Sequence, residues 1–309
     1  MTDFAPALFA GRSGRERNPL SILYWLVLTV LLAILFSFPI GIAGAAGLFD
    51  LQMLETVGAG EPIPEGPGRL RQETVFMAVL AASLVGVAFA SLLAGRIAFR
   101  RPMSSFLTPA APFRPALLLL GALVFAVLVA LAMAADPLIG GEALDPPILD
   151  AAYPAADRLL YALASVLLLL FAAAAEEVIF RGVLLQVTGA FTRNVLLLAL
   201  INGLLFSAIH IDFDPASFIA RTLLGAAFTW TVLKLGGLEF AIGAHAANNI
   251  VLSLLGDPIS EGASVQRTPD PIYAVVDAVL CIGMVVAVLA LSRTEMVRRW
   301  TGRPAGSGF

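Results

Sequence analysis

Eight continuous apolar runs, most close to twenty residues long, decide what this chain can become. They are roughly Leu20–Gly47, Thr74–Leu93, Ala116–Ala135, Leu159–Gly189, Val195–Ile211, Ala216–Leu235, Leu238–Leu255 and Ile272–Leu291. A bilayer core of about 30 Å needs about 20 apolar residues in a helix. The runs do not alternate apolar with polar residues, as barrel strands would. Lipid offers no partner to a bare peptide group, so each run closes its backbone hydrogen bonds internally, as a helix. The expected fold is therefore all-α: a polytopic membrane protein with about eight transmembrane helices.

Composition agrees. Hydrophobic residues make up 59% of the 309 residues and charged residues 13%. An ordinary soluble domain carries about 25% charged residues. This excludes a soluble globular enzyme, a disordered chain and a nucleic-acid binder. The partners to expect are membrane lipid and a peptide or membrane-protein substrate, with no nucleic acid. The single cysteine, Cys281, forms no internal disulfide and builds no thiolate metal cluster.

The first run follows Arg12, Arg15 and Arg17 and is longer than a signal-peptide core, so it reads as a retained anchor. With a cytoplasmic N-terminus and eight alternating spans, the inner flanks hold these three with Arg96, Arg100, Arg101, Arg114, Arg193, Lys234, Arg293, Arg298, Arg299 and Arg303. The outer flanks hold Arg69, Arg71, Arg158 and Arg267, beside acidic residues such as Glu142 and Asp145. This is the positive-inside pattern. It predicts a multi-pass protein of the cell (inner) membrane with both termini cytoplasmic. The chain divides into an N-terminal region, 1–158, with three spans, a core at 159–255 with four, and a last span with a short tail at 256–309.

Because charge is scarce, ionisable residues inside the apolar runs stand out. Each costs at least ~2.5–3.5 kcal/mol near the bilayer centre. The fourth run carries Glu176-Glu177-Val-Ile-Phe-Arg181, the fifth Phe206-Ser-Ala-Ile-His210, and the seventh His245-Ala-Ala-Asn248-Asn249. Both histidines of the chain are among them. Glu177 and Arg181 stand four apart and share a helix face, while Glu176 projects about 100° away. Phe206 and His210 pair in the same way, which sets an aromatic wall beside an imidazole. So do His245 and Asn249. Three helices thus aim Glu176, His210, His245 and Asn249 at one cavity, with Glu177, Arg181 and Phe206 in support. Arg221 and Asp277 also lie in apolar runs and take no role in this set.

A carboxylate and an imidazole beside one water form a general base. A second imidazole and an amide can donate to an oxyanion. That set hydrolyses a peptide bond without a covalent intermediate. Two histidines and a glutamate (Glu176, His210, His245) are equally a zinc set with an open position. The sequence leaves both open. Two further classes compete: a non-catalytic membrane protein whose polar residues hold helices together, and a proton-coupled transporter. The latter draws no support from repeats or broken helices.

The three segments resemble the CPBP family of intramembrane proteases, the CAAX prenyl protease 2, bacteriocin-processing or Abi family. Its motifs are Glu-Glu-x-x-x-Arg, Phe-x-x-x-His and His-x-x-x-Asn. All three are present in order over roughly Leu159 to Leu255, with no departure. The resemblance implies an intramembrane endopeptidase, metal-dependent or glutamate-type. In it Glu176 activates water with His210, His245 and Asn249 stabilise the oxyanion, and Glu177 and Arg181 hold the helix. Zinc and a metal-free mechanism are both compatible with it, and so is a non-catalytic immunity or scaffold role.

Overall fold

A computed structural model gives the fold and describes residues 13–107, 113–139, 146–262 and 271–301. Arg12, Glu142, Asp145, Arg267 and Arg303, used above for orientation, lie outside the described residues. Each of the eight apolar runs is a helix: α1 Pro19–Ala45, α2 Arg69–Phe99, α3 Pro115–Ala135, α4 Ala155–Thr188, α5 Val195–Ala208, α6 Pro215–Leu235, α7 Glu239–Leu255 and α8 Pro271–Leu291. There is no strand among the described residues. The protein is an all-α, multi-pass membrane protein.

The count of spans is where structure and sequence part. Six helices, α1, α2, α3, α4, α6 and α8, are long and apolar enough to cross a bilayer. At 1.5 Å per residue, α5 and α7 reach only about 21 and 26 Å. Helix α5 is short because the chain leaves it at Ala208 and turns back into α6. Helix α7 is short but enclosed, with every residue from Glu239 to Ala247 buried.

The boundaries follow local chemistry. Asn18 caps α1 by accepting from Leu20 N at 3.0 Å, with Pro19 in the first helical position. Asn194 caps α5 through Leu197 N at 3.1 Å. Asp214 caps α6 through Ala216 and Ser217, ahead of Pro215. Gly236, at φ 73°, ends α6 in the left-handed region, where a side chain is disfavoured.

Helix α1 packs on α2, where Trp25 Nε1 donates to Ser91 O at 3.2 Å, and otherwise faces outward. Helix α4 lies between α2 and α7; α7 lies against α3, and α8 against α6 and α3. The main core gathers Leu117 and Phe125 of α3, Phe228 and Val232 of α6, Phe240 of α7 and Met284 of α8. Two glycines bring α3 and α7 backbone to backbone. A Cβ at Gly243 would collide with Leu118 O, and one at Gly121 with Phe240 O. Small residues serve such close contacts in membranes, where dispersion rather than the hydrophobic effect holds helices together. Arg114, at the start of α3, donates to Glu239 of α7 at 2.6 and 2.9 Å and to Leu235 O of α6 at 3.1 Å. This clamp ties the starts of α3 and α7 to the end of α6.

Candidate active site

The site forms where α4 widens. Residues Val178–Leu184 make a π-helical stretch just after the glutamate pair. Such wide turns recur at functional sites because they re-aim side chains. Glu177 and Arg181 meet as their spacing predicts: Arg181 Nη1 donates to Glu177 Oε1 at 2.9 Å, and both side chains are fully buried. Arg181 Nη2 donates to Gly225 O of α6, also at 2.9 Å. Its guanidinium lies 4.7 Å from the Phe206 ring centre, 5.6 Å from Phe228 and 5.7 Å from Phe180. A buried cation there is held by one carboxylate, one carbonyl and three aromatic faces.

The same carboxylate oxygen reaches α7. His245 Nδ1 lies 2.9 Å from Glu177 Oε1. A carboxylate only accepts, so Nδ1 carries the proton and Nε2 is the free ring nitrogen. Phe228 stacks on the imidazole, with centroids 5.3 Å apart and planes at 30°, and Phe206 meets it edge-on at 5.9 Å. His245 Nε2 looks toward Glu176 Oε2 at 3.8 Å. That gap is longer than a hydrogen bond and short enough for one water to bridge the two atoms. The side chain of Glu176 keeps 17% of its surface open, whereas Glu177 keeps none.

His210 is not inside a helix, as the sequence suggested. Helix α5 stops at Ala208, and His210 sits exposed in the following turn. The cause is local: Ile211 takes φ 56°, a left-handed conformation that no helix continues. The imidazole is still held against Phe206, with centroids 5.0 Å apart at 65°, and its Nδ1 donates to Phe206 O at 2.7 Å. Phe206 thus touches both imidazoles and Arg181, and it meets Phe180 edge-on at 5.0 Å. Among the described residues His210 shares no hydrogen bond or ion pair with Glu176; the carboxylate faces His245 instead. Asn249 lies one turn beyond His245 and accepts from Asn248 Nδ2 at 3.1 Å.

Three site residues are not singled out by the sequence. Gly225 contributes its carbonyl to Arg181 and its lack of a side chain to Phe206; a Cβ there would crowd Phe206 Cβ at 3.1 Å. Small residues on facing helices, Gly203 and Gly225, were the available clue. Phe228 and Phe180 looked like any core phenylalanine. Arg221, without a role in the sequence, pairs with Asp212 at 2.7 Å beside the His210 turn.

Could this set hold zinc? Both imidazoles anchor Nδ1 and leave Nε2 free, as metal-bound histidines do. Among the described residues, however, no three His, Cys, Asp or Glu side chains stand close enough together to hold a metal ion. The set Glu176, His210, His245 does not close into a ligand cage in this geometry.

Fold and site together define a class: a multi-pass helical membrane protein with a carboxylate–imidazole centre built between its helices. Comparison narrows it. Residues 158–251 match the family described as type II CAAX prenyl endopeptidase Rce1-like, the stretch and the relationship that the three motifs suggested. A similar protein is the uncharacterized protein YyaK of Bacillus subtilis (strain 168), 40% identical over 107 residues. That alignment covers 32% of this chain and 36% of the relative, so the chain matches about a third of that protein's length.

Proposed function

We propose that the protein is an intramembrane endopeptidase that uses water as nucleophile. One observation carries the reading. Adjacent carboxylates have opposite environments: Glu177 is sealed against Arg181 and His245, while Glu176 is partly open and faces the free nitrogen of that same histidine. Two carboxylates separated in environment are how one site assigns a structural and a reactive role.

In the reaction, a water rests between Glu176 Oε2 and His245 Nε2. Glu176 takes one of its protons, and the oxygen bonds to the scissile carbonyl carbon. Asn249 Nδ2 and the His210 ring stabilise the oxyanion. Glu176 returns the proton to the leaving nitrogen as the C–N bond breaks, giving a carboxyl and an amine. The family match supports peptide or membrane-protein substrates. Residues 159–255 form the catalytic core, flanked by the spans of 1–158 and of 256–309. The arginine bias supports a cell-membrane protein with both termini in the cytoplasm.

A non-catalytic immunity or scaffold role draws on the same cluster, since Glu177, Arg181 and His245 tie α4, α6 and α7 together. It leaves the open Glu176 unused. The test is cleavage of a panel of membrane-inserted peptides in proteoliposomes, read by mass spectrometry, with metal content measured on the active protein. Cleavage by wild type and its loss in Glu176→Ala and His210→Ala support the peptidase. Equal cleavage by all three, or none by any, supports the scaffold. Stoichiometric zinc in active protein would replace the metal-free step with a zinc one.

A further inference from the structure

The turn that carries His210 needs a tether. The bond the His210 ring makes in this structure is to the carbonyl of its own helix, from Nδ1 to Phe206 O, while its backbone N donates to Ser207 O at 3.2 Å. The next residue, Ile211, is left-handed at φ 56°. For a β-branched residue this is a strained conformation, disfavoured by its own Cβ. Left to itself, the turn would relax and carry the imidazole with it.

Several contacts oppose that relaxation, among them the stack of Phe213 on Phe218 of α6, with centroids 6.0 Å apart. Ser207 Oγ donates to Phe218 O at 3.0 Å. Asp214 caps α6 through Ala216 and Ser217. Asp212 does two things: Oδ1 accepts from Asp214 N at 3.0 Å, and Oδ2 accepts from Arg221 Nη2, two turns along α6, at 2.7 Å. The last contact is the unexpected one. It sets an ion pair next in sequence to Ile211 and Phe213 of the turn and close to Ile219 and Leu223 of α6, all exposed apolar residues in a chain that spans the membrane. Charged residues are costly there. Packing does not require the pair, because Gly203 and Gly225 already bring α5 and α6 into backbone contact.

We propose that Arg221, acting through Asp212, is a positioning residue that holds the His210 turn, and so the imidazole, against Phe206 at the rim of the Glu176 site. The inference rests on the peptidase reading, and it deepens it.

The test compares Arg221→Gln, Arg221→Lys, Asp212→Asn and the Arg221→Gln/Asp212→Asn double variant in proteoliposomes. Misplacing a catalytic group by an ångström costs on the order of 100-fold in rate. We therefore expect kcat to fall on the order of 10- to 100-fold in Arg221→Gln and in Asp212→Asn, with little change in KM. The double variant should lose no more than either single one, because both remove the same contact. Arg221→Lys should recover part of the rate. A second readout needs no turnover. His245 is buried and His210 exposed, so diethyl pyrocarbonate acylates His210 first. Arg221→Gln, made in a Glu176→Ala background, should change that acylation rate severalfold. If wild type and Glu176→Ala cleave alike, the peptidase reading fails, and acylation still reports on the tether. The proposal is overturned by unchanged acylation, whether kcat is retained or falls only in step with thermal stability. If Arg221→Gln does not fold, Arg221→Lys and Asp212→Asn decide by the same criteria.

Discussion

Replacing Arg181 with methionine tests whether the buried pair is the structural half of the site. The substitution keeps an unbranched stem and removes the charge. What it strands can be read from the structure. Glu177 is fully buried, and its Oε2 has no partner among the described residues. Without Arg181 its Oε1 keeps a single donor, His245 Nδ1. Removing one member of a buried pair costs about 3–5 kcal/mol, because the other charge stays behind. The remaining losses are smaller. Gly225 O still accepts from Thr229 Oγ1 at 2.8 Å, so it is not orphaned. The aromatic contacts of the guanidinium are worth up to about 2 kcal/mol, but they share its desolvation and do not simply add. A loss of about 3–5 kcal/mol lowers the melting temperature by on the order of 10 °C. Unfolding of detergent-solubilised protein, followed by intrinsic fluorescence, measures it. The double variant Glu177→Gln/Arg181→Met should recover most of the loss. It leaves no buried charge, and the amide oxygen introduced by Glu177→Gln still offers His245 an acceptor. A single variant as stable as wild type, or a double variant no better than the single, would refute the argument.

Further predictions follow from packing and charge. Gly243→Ala drives a Cβ into Leu118 O, a backbone atom that cannot swing aside. It should cost about 1–3 kcal/mol and reduce turnover as well, because α7 must shift with His245 on it; a thermal melt beside a cleavage assay checks both. Outside the membrane, Glu16 is buried and accepts from Arg101 Nη1 at 2.9 Å. Burial alone would raise its carboxyl, but the Arg101 bond and charge, with backbone N–H groups, outweigh it and hold the group below its ordinary value of 4.5. With the folded value depressed, the stabilisation is complete above 4.5 and is lost as pH falls through the folded value. The stability gap between wild type and Glu16→Gln should therefore be full at neutral pH and close on acidification. A gap that widens in acid would contradict this.

Much of the architecture was legible because lipid leaves the backbone so few options. Eight apolar runs became eight helices for that reason alone. Lengths were harder. Run five looked seventeen residues long because Ile209 and Ile211 are apolar, yet the left-handed turn at Ile211 ends the helix early. Run two begins later than its helix, at Thr74, because the charged residues Arg69, Arg71 and Glu73 precede it. In the fold Arg69 pairs with Glu65 and Glu261, and Glu73 accepts from Ser260, so these charged residues belong to the helix. Within the site, the Glu177–Arg181 pair and the Phe206–His210 contact were readable, since helical spacing fixes both. The link from Glu177 to His245 joins residues 68 apart, and spacing says nothing about it. Nor could the sequence show that Glu176 would face His245 rather than His210. That depends on a π-helical turn with no reliable sequence mark. Arg221 was visible as an anomaly, and its meaning came only with Asp212 beside it.

The central claim is that the two adjacent glutamates divide the work, Glu177 holding the helices and Glu176 handling the proton. The most direct test is the turnover of Glu176→Gln protein on a membrane-inserted peptide, with its melting temperature measured alongside. Glutamine keeps the shape and cannot take the proton, so turnover should fall by about 10²–10⁴ while the melting temperature stays at the wild-type value. Turnover at the wild-type rate in Glu176→Gln protein would contradict the account.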